Sequence, residues 1–363
     1  SGETNYMAPA SARKMAEELA LLPIWFADGE CSVLAPSAYN QPFLEEMLRL
    51  FPLPVSLRTQ AEDFSDVRSV IPWGWNPALR KRLLSLGISD AVLPSVGEME
   101  RLRNLSHRSQ AVKLLPHLQV DERFCGESFY LTTLSDCRTF IEDRECCLLK
   151  APLSGSGKGL NWCKGEFTPL IERWCARVID REGGVVGEPI YNKVEDFAME
   201  FCSDGEGKVR FAGYSLFHTN VGGAYEGNCL LSDAEIERRL SAYVPVDALF
   251  RIQKELEKEL SVSLGNEYAG YLGVDMMICR SGALPEFRIH PCVEINLRMN
   301  MGLVSRLIYD RYVQSGASGV FRVSYYPSDG QALQEHNAMK TGHPLHTEDG
   351  RVVKGYLPLV PVL

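Results

Sequence analysis

The sequence predicts a chain of mixed class, an α/β lobe followed by α+β lobes. Short apolar runs alternate with helical periodicity over residues 22–105, and apolar segments joined by tight turns fill residues 185–217. A long amphipathic stripe and two further apolar segments then occupy residues 249–297. With 363 residues and 45% apolar composition the chain can bury more than one core, and chains beyond roughly 250 to 300 residues usually divide.

In the first lobe, residues 22–26 and 67–73 are apolar and read as strands. Asn76 is placed to cap a helix over residues 78–86, with Pro77 at its first position and Gly87 at its end. Ser95 and Glu98 have capping-box spacing ahead of a helix over residues 99–105. Ala111, Val112, Leu114 and Leu115 mark a helix limited by Pro116, and residues 146–150 form the next strand.

Leu170, Ile171, Trp174, Cys175 and Val178 recur at helical spacing until Gly183 and Gly184 end the pattern. Residues 185–191 follow as a strand, and residues 196–202 and 209–217 as an antiparallel pair about the turn 203–207. Ser232 and Glu235 form a second capping-box match, and Leu249, Ile252, Leu256 and Leu260 stripe a long helix. Residues 271–279 and 287–297 close the series as a strand pair, while the tail from Val320 reads as an edge strand or covering hairpin.

The formal net charge of -9, with basic residues scattered, argues against a large nucleic-acid surface. Eleven cysteines without C-x-x-C spacing fit a reducing cytoplasm, and no apolar run approaches the roughly 20 residues that span a bilayer. His336, His343 and His346 crowd the tail among turn formers with no acidic or Cys partner at regular spacing, so they read as a solvated loop rather than a metal site. His218 and His290 lie in expected strands, as satisfied interior or substrate-lining residues.

Lys150 is followed closely by Ser154, Gly155, Ser156, Gly157, Lys158 and Gly159. Small consecutive residues let backbone N–H groups approach phosphate oxygens, and a neighbouring cation adds charge. A Walker A loop is disfavoured, because it would put Pro152 at its first glycine and Gly159 where Ser or Thr must reach magnesium. Far downstream, Glu294 and Asn296 alternate to one face of their strand, and Asp275 interrupts the apolar run Leu272, Val274, Met276 and Ile278. Three oxygen ligands on neighbouring strands suit Mg²⁺, and Arg298 falls at the same two-residue step, either within reach of a transferring phosphoryl group or a substrate carboxylate, or as a counter-ion for Glu294.

This order of features resembles the ATP-grasp superfamily over roughly residues 106–305, with matches at Ser106-His107-Arg108, Leu148-Leu149-Lys150, the glycine run, Val185-Val186-Gly187-Glu188-Pro189, Gly273-Val274-Asp275 and Glu294-Ile295-Asn296-Leu297-Arg298. Two departures stand out: Arg108 replaces a usual lysine, and no proline follows Asn296. The resemblance implies ATP and Mg²⁺ as cofactors. Lys150 and Arg108 would meet phosphates, Ser154, Gly155, Ser156 and Gly157 would close over the nucleotide, and Glu188 and Pro189 would lie along adenine. Asp196 would take the ribose, while Asp275, Glu294 and Asn296 would hold magnesium.

It further implies a pre-ATP-grasp domain over residues 1–105, a small lobe with the flap over 106–190, a large lobe with the metal site over 191–319 and a covering segment over 320–363. The implied activity joins a small carboxylate to an amine through an acyl phosphate, catalysed chiefly by Lys150 and Arg298, in a cytoplasmic enzyme with room for a homodimer and no nucleic-acid or membrane partner. A carboxylate kinase or carboxylase of the same superfamily, or a nucleotide-binding module without turnover, are the alternatives.

Overall fold

The computed structural model describes residues 5–155, 159–220 and 225–362. In chain order its elements begin with α1 (Ala10–Glu18), β1 (Cys31–Ala35), α2 (Gln41–Leu50), β2 (Val55–Thr59), α3 (Pro77–Ser85), α4 (Val96–Leu105) and α5 (Ser109–Leu118). Next come β3 (Phe129–Leu131), α6 (Leu134–Glu142), β4 (Cys147–Lys150), β5 (Leu160–Cys163), α7 (Pro169–Glu182) and β6 (Val185–Pro189). The series continues with β7 (Lys193–Asp204), β8 (Val209–Thr219), β9 (Tyr225–Leu230), α8 (Asp233–Leu240), α9 (Val246–Leu264), β10 (Ala269–Arg280) and β11 (Phe287–Asn296). It ends in α10 (Met301–Tyr312), β12 (Gly319–Arg322), α11 (Asp329–Gly342), β13 (His346–Glu348) and β14 (Arg351–Lys354). Among the described residues no helix is long and apolar enough to cross a membrane.

Two compact units result, one of Ser1–Met99, Cys229–Ser232 and Val304–Leu363, the other of Glu100–Asn228 and Asp233–Leu303. In the first, β1 and β2 pair in parallel, which requires a crossover, and α2 supplies it. Trp25, Phe51 and Tyr312 meet edge to face at 5.2 to 5.7 Å between ring centres, and the Trp25 indole N–H donates to the Leu359 carbonyl at 2.6 Å. The hairpin β13–β14 turns at Asp349 and Gly350, both with positive φ, as a tight two-residue turn demands. The two strands expected in this lobe are absent: residues 22–25 form a 3-10 helix and residues 67–73 carry no regular element. Each is apolar enough for a strand, yet Pro23 lacks the donor a ladder needs, and Val67 and Val70 pack onto a small core of Phe64, Leu83, Ile88 and Leu93 without pairing. Local caps behave as their residue types dictate, since Leu79 N donates to the Asn76 side chain at 2.9 Å and Ser95 and Glu98 bond reciprocally.

The second unit holds two antiparallel sheets. The smaller runs β3-β6-β4-β5 and buries one face under α6 and α7 through Cys137, Phe140, Ile141, Cys147, Leu149, Cys175 and Val178. Gly183 ends α7 in the left-handed conformation, φ 82°, which only glycine adopts cheaply. Pro116 does not stop α5 but lies inside its last turn, where its missing N–H forfeits one bond to the carbonyl four residues back and the helix still runs on to Leu118. The larger sheet runs β11-β10-β7-β8-β9, and α9 covers it with Leu249, Ile252, Leu256 and Leu260, all fully buried. Polar tips on α9 anchor the sheet as well, for Val209 N and Phe211 N donate to Ser261 Oγ and Glu257 Oε1, each at 2.9 Å. Of the tail histidines, His336 lies in α11 with its ring 5.6 Å from that of Tyr356, so it is partly packed rather than a loop residue.

Candidate active site

Strands β4 and β5 form a hairpin whose connection is the glycine run, closed at its base by Ala151 N donating to Gly159 O at 2.8 Å. Gly159 has φ 70°, and a Cβ there would stand 2.5 Å from Ser154 Oγ, so the turn requires glycine. Ser156 and Gly157, with Lys158 beside them, lie outside the described residues. Gly155 sits beside the Arg298 guanidinium, which a Cβ would meet at 3.7 Å.

At the end of β4, Lys150 is opposite Val186 of β6, and its Nζ reaches Glu188 Oε2 at 2.6 Å with both side chains almost wholly buried. A buried pair of this kind is strongly destabilised when one partner is removed, because the other charge stays out of water. Ser128 Oγ donates to the same carboxylate at 3.3 Å. Pro189 ends β6 opposite Cys147.

Arg108, which caps α5, ties two distant segments together. Its Nη1 donates to Ala151 O at 2.6 Å and Ser154 Oγ at 2.8 Å, and its Nη2 to Glu294 Oε2 at 2.8 Å. The guanidinium therefore joins the base of the glycine hairpin to β11, 186 residues away, an ion pair that no sequence pattern announces.

On the larger sheet Asp275 of β10 stands directly opposite Glu294 of β11, and Gly273 opposite Asn296. Asn296 Nδ2 donates to Asp275 Oδ2 at 3.0 Å, while Arg298 Nη2 donates to Asn296 Oδ1 at 3.1 Å. Burial, and next the Glu294 charge, push the Asp275 carboxyl up to about 7, against the opposing pull of Asn296 and Arg298. Asp196 accepts from Thr219 Oγ1 at 2.8 Å and pairs with Lys193 at the start of β7.

Glu200 is the side chain the sequence analysis passed over. It is 1% exposed in β7, accepts from Asn300 Nδ2 at 2.9 Å, and burial pushes its carboxyl up to about 8. Room for it comes from Gly273 and Gly302, since a Cβ at Gly273 would lie 2.5 Å from Glu200 Oε2 and one at Gly302 would strike Glu200 Oε1 and Ser215 Oγ. The signal was present as a lone carboxylate within the apolar run Phe197-Ala198-Met199-Glu200-Phe201. His290 departs from its expectation in one respect, because it is interior but neither ring nitrogen has a partner among the described residues.

The donor set fits a hard divalent cation. Two opposed carboxylates, one disfavouring the charge of the other, are stabilised by a cation between them, and the Asn296 amide adds a neutral oxygen. Among the described residues no three His, Cys, Asp or Glu side chains converge as a metal cage. Two carboxylates and an amide match the sparse protein ligation of Mg²⁺, which leaves positions for phosphate oxygens and water.

No family model matches the chain, and no curated protein matches it. Among solved structures it is similar to N5-carboxyaminoimidazole synthetase from Staphylococcus aureus complexed with ADP, at 11% identity over 90% of this chain and 91% of that one, TM-score 0.47. It is also similar to the biotin carboxylase domain of Hydrogenobacter thermophilus 2-oxoglutarate carboxylase with MgADP, ADP and bicarbonate, at 12% identity over 82% and 71%, TM-score 0.47. A third is D-cycloserine synthetase DcsG, at 15% identity over 78% and 98%, TM-score 0.43. At these scores the comparison carries no argument about the site, whose reading rests on the geometry above.

Proposed function

We propose that the chain is an ATP-dependent ligase that joins a small carboxylate to an amine. The observation that carries the reading is the convergence, within one compact unit, of Lys150, Arg108 and Arg298 with Asp275, Glu294 and Asn296, linked by the 2.8 Å contact of Arg108 with Glu294. Cations and hard oxygen ligands this close together suit a magnesium-bound polyphosphate, whose metal would supply charge neutralisation at the transferring phosphoryl group.

In this reading Lys150 and Arg108 hold the phosphates, with Ser154 and Gly155 beside them, and Glu188, Pro189 and Asp196 line the base and ribose. Asp275, Glu294 and Asn296 are the magnesium ligands. Arg298 sits where charge develops on a substrate carboxylate as it accepts the phosphoryl group, and the amine then displaces phosphate from the acyl phosphate. The sites lie in the lobes assigned to residues 106–190 and 191–319, with residues 1–105 and 320–363 as the flanking segments. Eleven free thiols are in keeping with a reducing, cytoplasmic setting.

The test is release of ADP and phosphate by the full chain with Mg²⁺ and ATP, against pools of small carboxylates and amines, with mass analysis of the products. An amide supports the ligase. A phosphorylated or carboxylated product without an amide replaces it with a kinase or carboxylase, and absence of any nucleotide binding removes the site assignment altogether.

A further inference from the structure

His290 is fully buried, yet neither Nδ1 nor Nε2 has a hydrogen-bond partner among the described residues. Burial, the largest cause, drives the imidazole down to about 4, so it is uncharged at neutral pH and carries one donor and one acceptor. Leaving both unmade is costly, and an interior polar group of this kind calls for a partner that arrives from outside.

The strand register says where that partner would lie. His290 stands opposite Met277, and Glu294 opposite Asp275; because Met277 and Asp275 are two residues apart on β10, His290 and Glu294 share a face of the sheet. β11 spends four residues where β10 spends two, an irregularity about Pro291 of the kind that re-aims a side chain. The ring feels the charges of both Glu188 and Lys150, so the buried ion pair of the small sheet lies near it.

A collar is built around it. Tyr191 meets the imidazole edge to face at 5.2 Å, and its hydroxyl is fixed by Glu127 N donating at 2.5 Å. Gly126, at φ 133°, brings its backbone against the ring, where a Cβ would lie 2.8 Å from Nε2. The backbone just before the histidine is already engaged, with Ile289 N donating to Arg123 O and Cys125 N to Ile289 O, each at 2.9 Å. Ile289 is satisfied in its backbone, and the imidazole beside it is not.

We infer that His290 is a nucleobase-contacting residue, which closes the base end of the site and hydrogen-bonds a purine edge through a ring nitrogen. This rests on the nucleotide reading given under Proposed function, and adds a specificity-determining side chain to it. A purine edge offers both a donor and an acceptor, so one ring nitrogen of a neutral imidazole finds a partner there in either tautomer, whereas inorganic tripolyphosphate offers only the charges that Lys150 and Arg108 would meet.

The test is calorimetric titration of the full chain with MgATP and, separately, with magnesium tripolyphosphate, for wild type, His290→Phe and His290→Gln. His290→Phe keeps an aromatic edge against Tyr191 but no ring nitrogen, and His290→Gln keeps a donor and an acceptor. ATP is expected to bind about tenfold more weakly to His290→Phe, with most of the loss recovered in His290→Gln and tripolyphosphate unchanged in both. A parallel fall for ATP and tripolyphosphate in both variants assigns His290 to packing and overturns the inference, as does unchanged ATP affinity in His290→Phe. If His290→Phe does not fold, His290→Gln decides, since loss of both ligands there refutes a base-specific role and retention of both supports it. Wild type that binds neither ligand refutes the nucleotide reading itself, a result distinct from any behaviour of the variants.

Discussion

Removing one member of the Lys150–Glu188 pair is expected to destabilise the protein far more than removing both. The 2.6 Å contact is almost sealed from solvent, with 7% and 6% of the two side chains exposed, so neither charge can regain water when its partner goes. Breaking such a pair costs about 3–5 kcal/mol, whereas replacing both partners by apolar groups of similar volume is often neutral. Glu188→Leu and Lys150→Met should therefore each lose about 3–5 kcal/mol, and the double variant should return to within about 2 kcal/mol of wild type. Urea unfolding followed by far-UV circular dichroism measures all four proteins, and the double-mutant cycle should give a coupling of at least about 4 kcal/mol. Single losses below about 1 kcal/mol, or a double variant as unstable as the sum of the singles, would show that the pair is not the buried, mutually dependent unit described here.

Glu294→Ala should lower ATP turnover by about 10²- to 10³-fold, the size expected for removing one preorganised electrostatic contact, and wild-type turnover in this variant rejects the metal assignment. Lys150→Ala should abolish turnover; phosphate release against ATP concentration reads both variants, on protein whose fold circular dichroism confirms, because loss of the buried pair also lowers stability. Asp275→Asn should raise the magnesium concentration needed for half-maximal turnover, and an unchanged magnesium profile contradicts its role as a ligand. Gly302→Ala forces a Cβ onto Glu200 and Ser215 and should cost about 1–3 kcal/mol of stability, measured by denaturant midpoint. Glu200 titrates near 8 when folded and near 4.5 when unfolded, so the stability it lends is fully present below about pH 4.5 and is lost as pH rises toward 8. Glu200→Gln should therefore gain on wild type between pH 5 and pH 8 by roughly 2–4 kcal/mol, and a difference independent of pH would refute the shifted acid.

Much of the site's composition was legible because local rules govern it. Glu294 and Asn296 had to share a face by strand alternation, Asp275 stood out in an apolar run, and the glycine hairpin announced itself by residue type. What failed were segments where tertiary packing overrode local preference. Residues 22–25 were apolar enough for a strand yet wound into a 3-10 helix, with Trp25 buried against Phe51 and Tyr312. Pro116, a breaker by propensity, was absorbed into the last turn of α5, where burial of Leu114, Leu115 and Leu118 offsets the one helical bond it lacks.

By itself the sequence determined the caps, the helices α7 and α9, the strands β7, β8, β10 and β11, and which side chains are candidates for a magnesium and phosphate site, because periodicity, capping and turn chemistry act over a few residues. Tertiary structure alone decided that Arg108 grips Glu294, that Lys150 is bound to Glu188, that Glu200 is buried between two glycines, and that His290 is left without a partner. Those are contacts between residues tens to nearly two hundred positions apart. Their energies come from charges and polar groups shut away from water together, and a pattern read along the chain does not record which of its residues will share an interior.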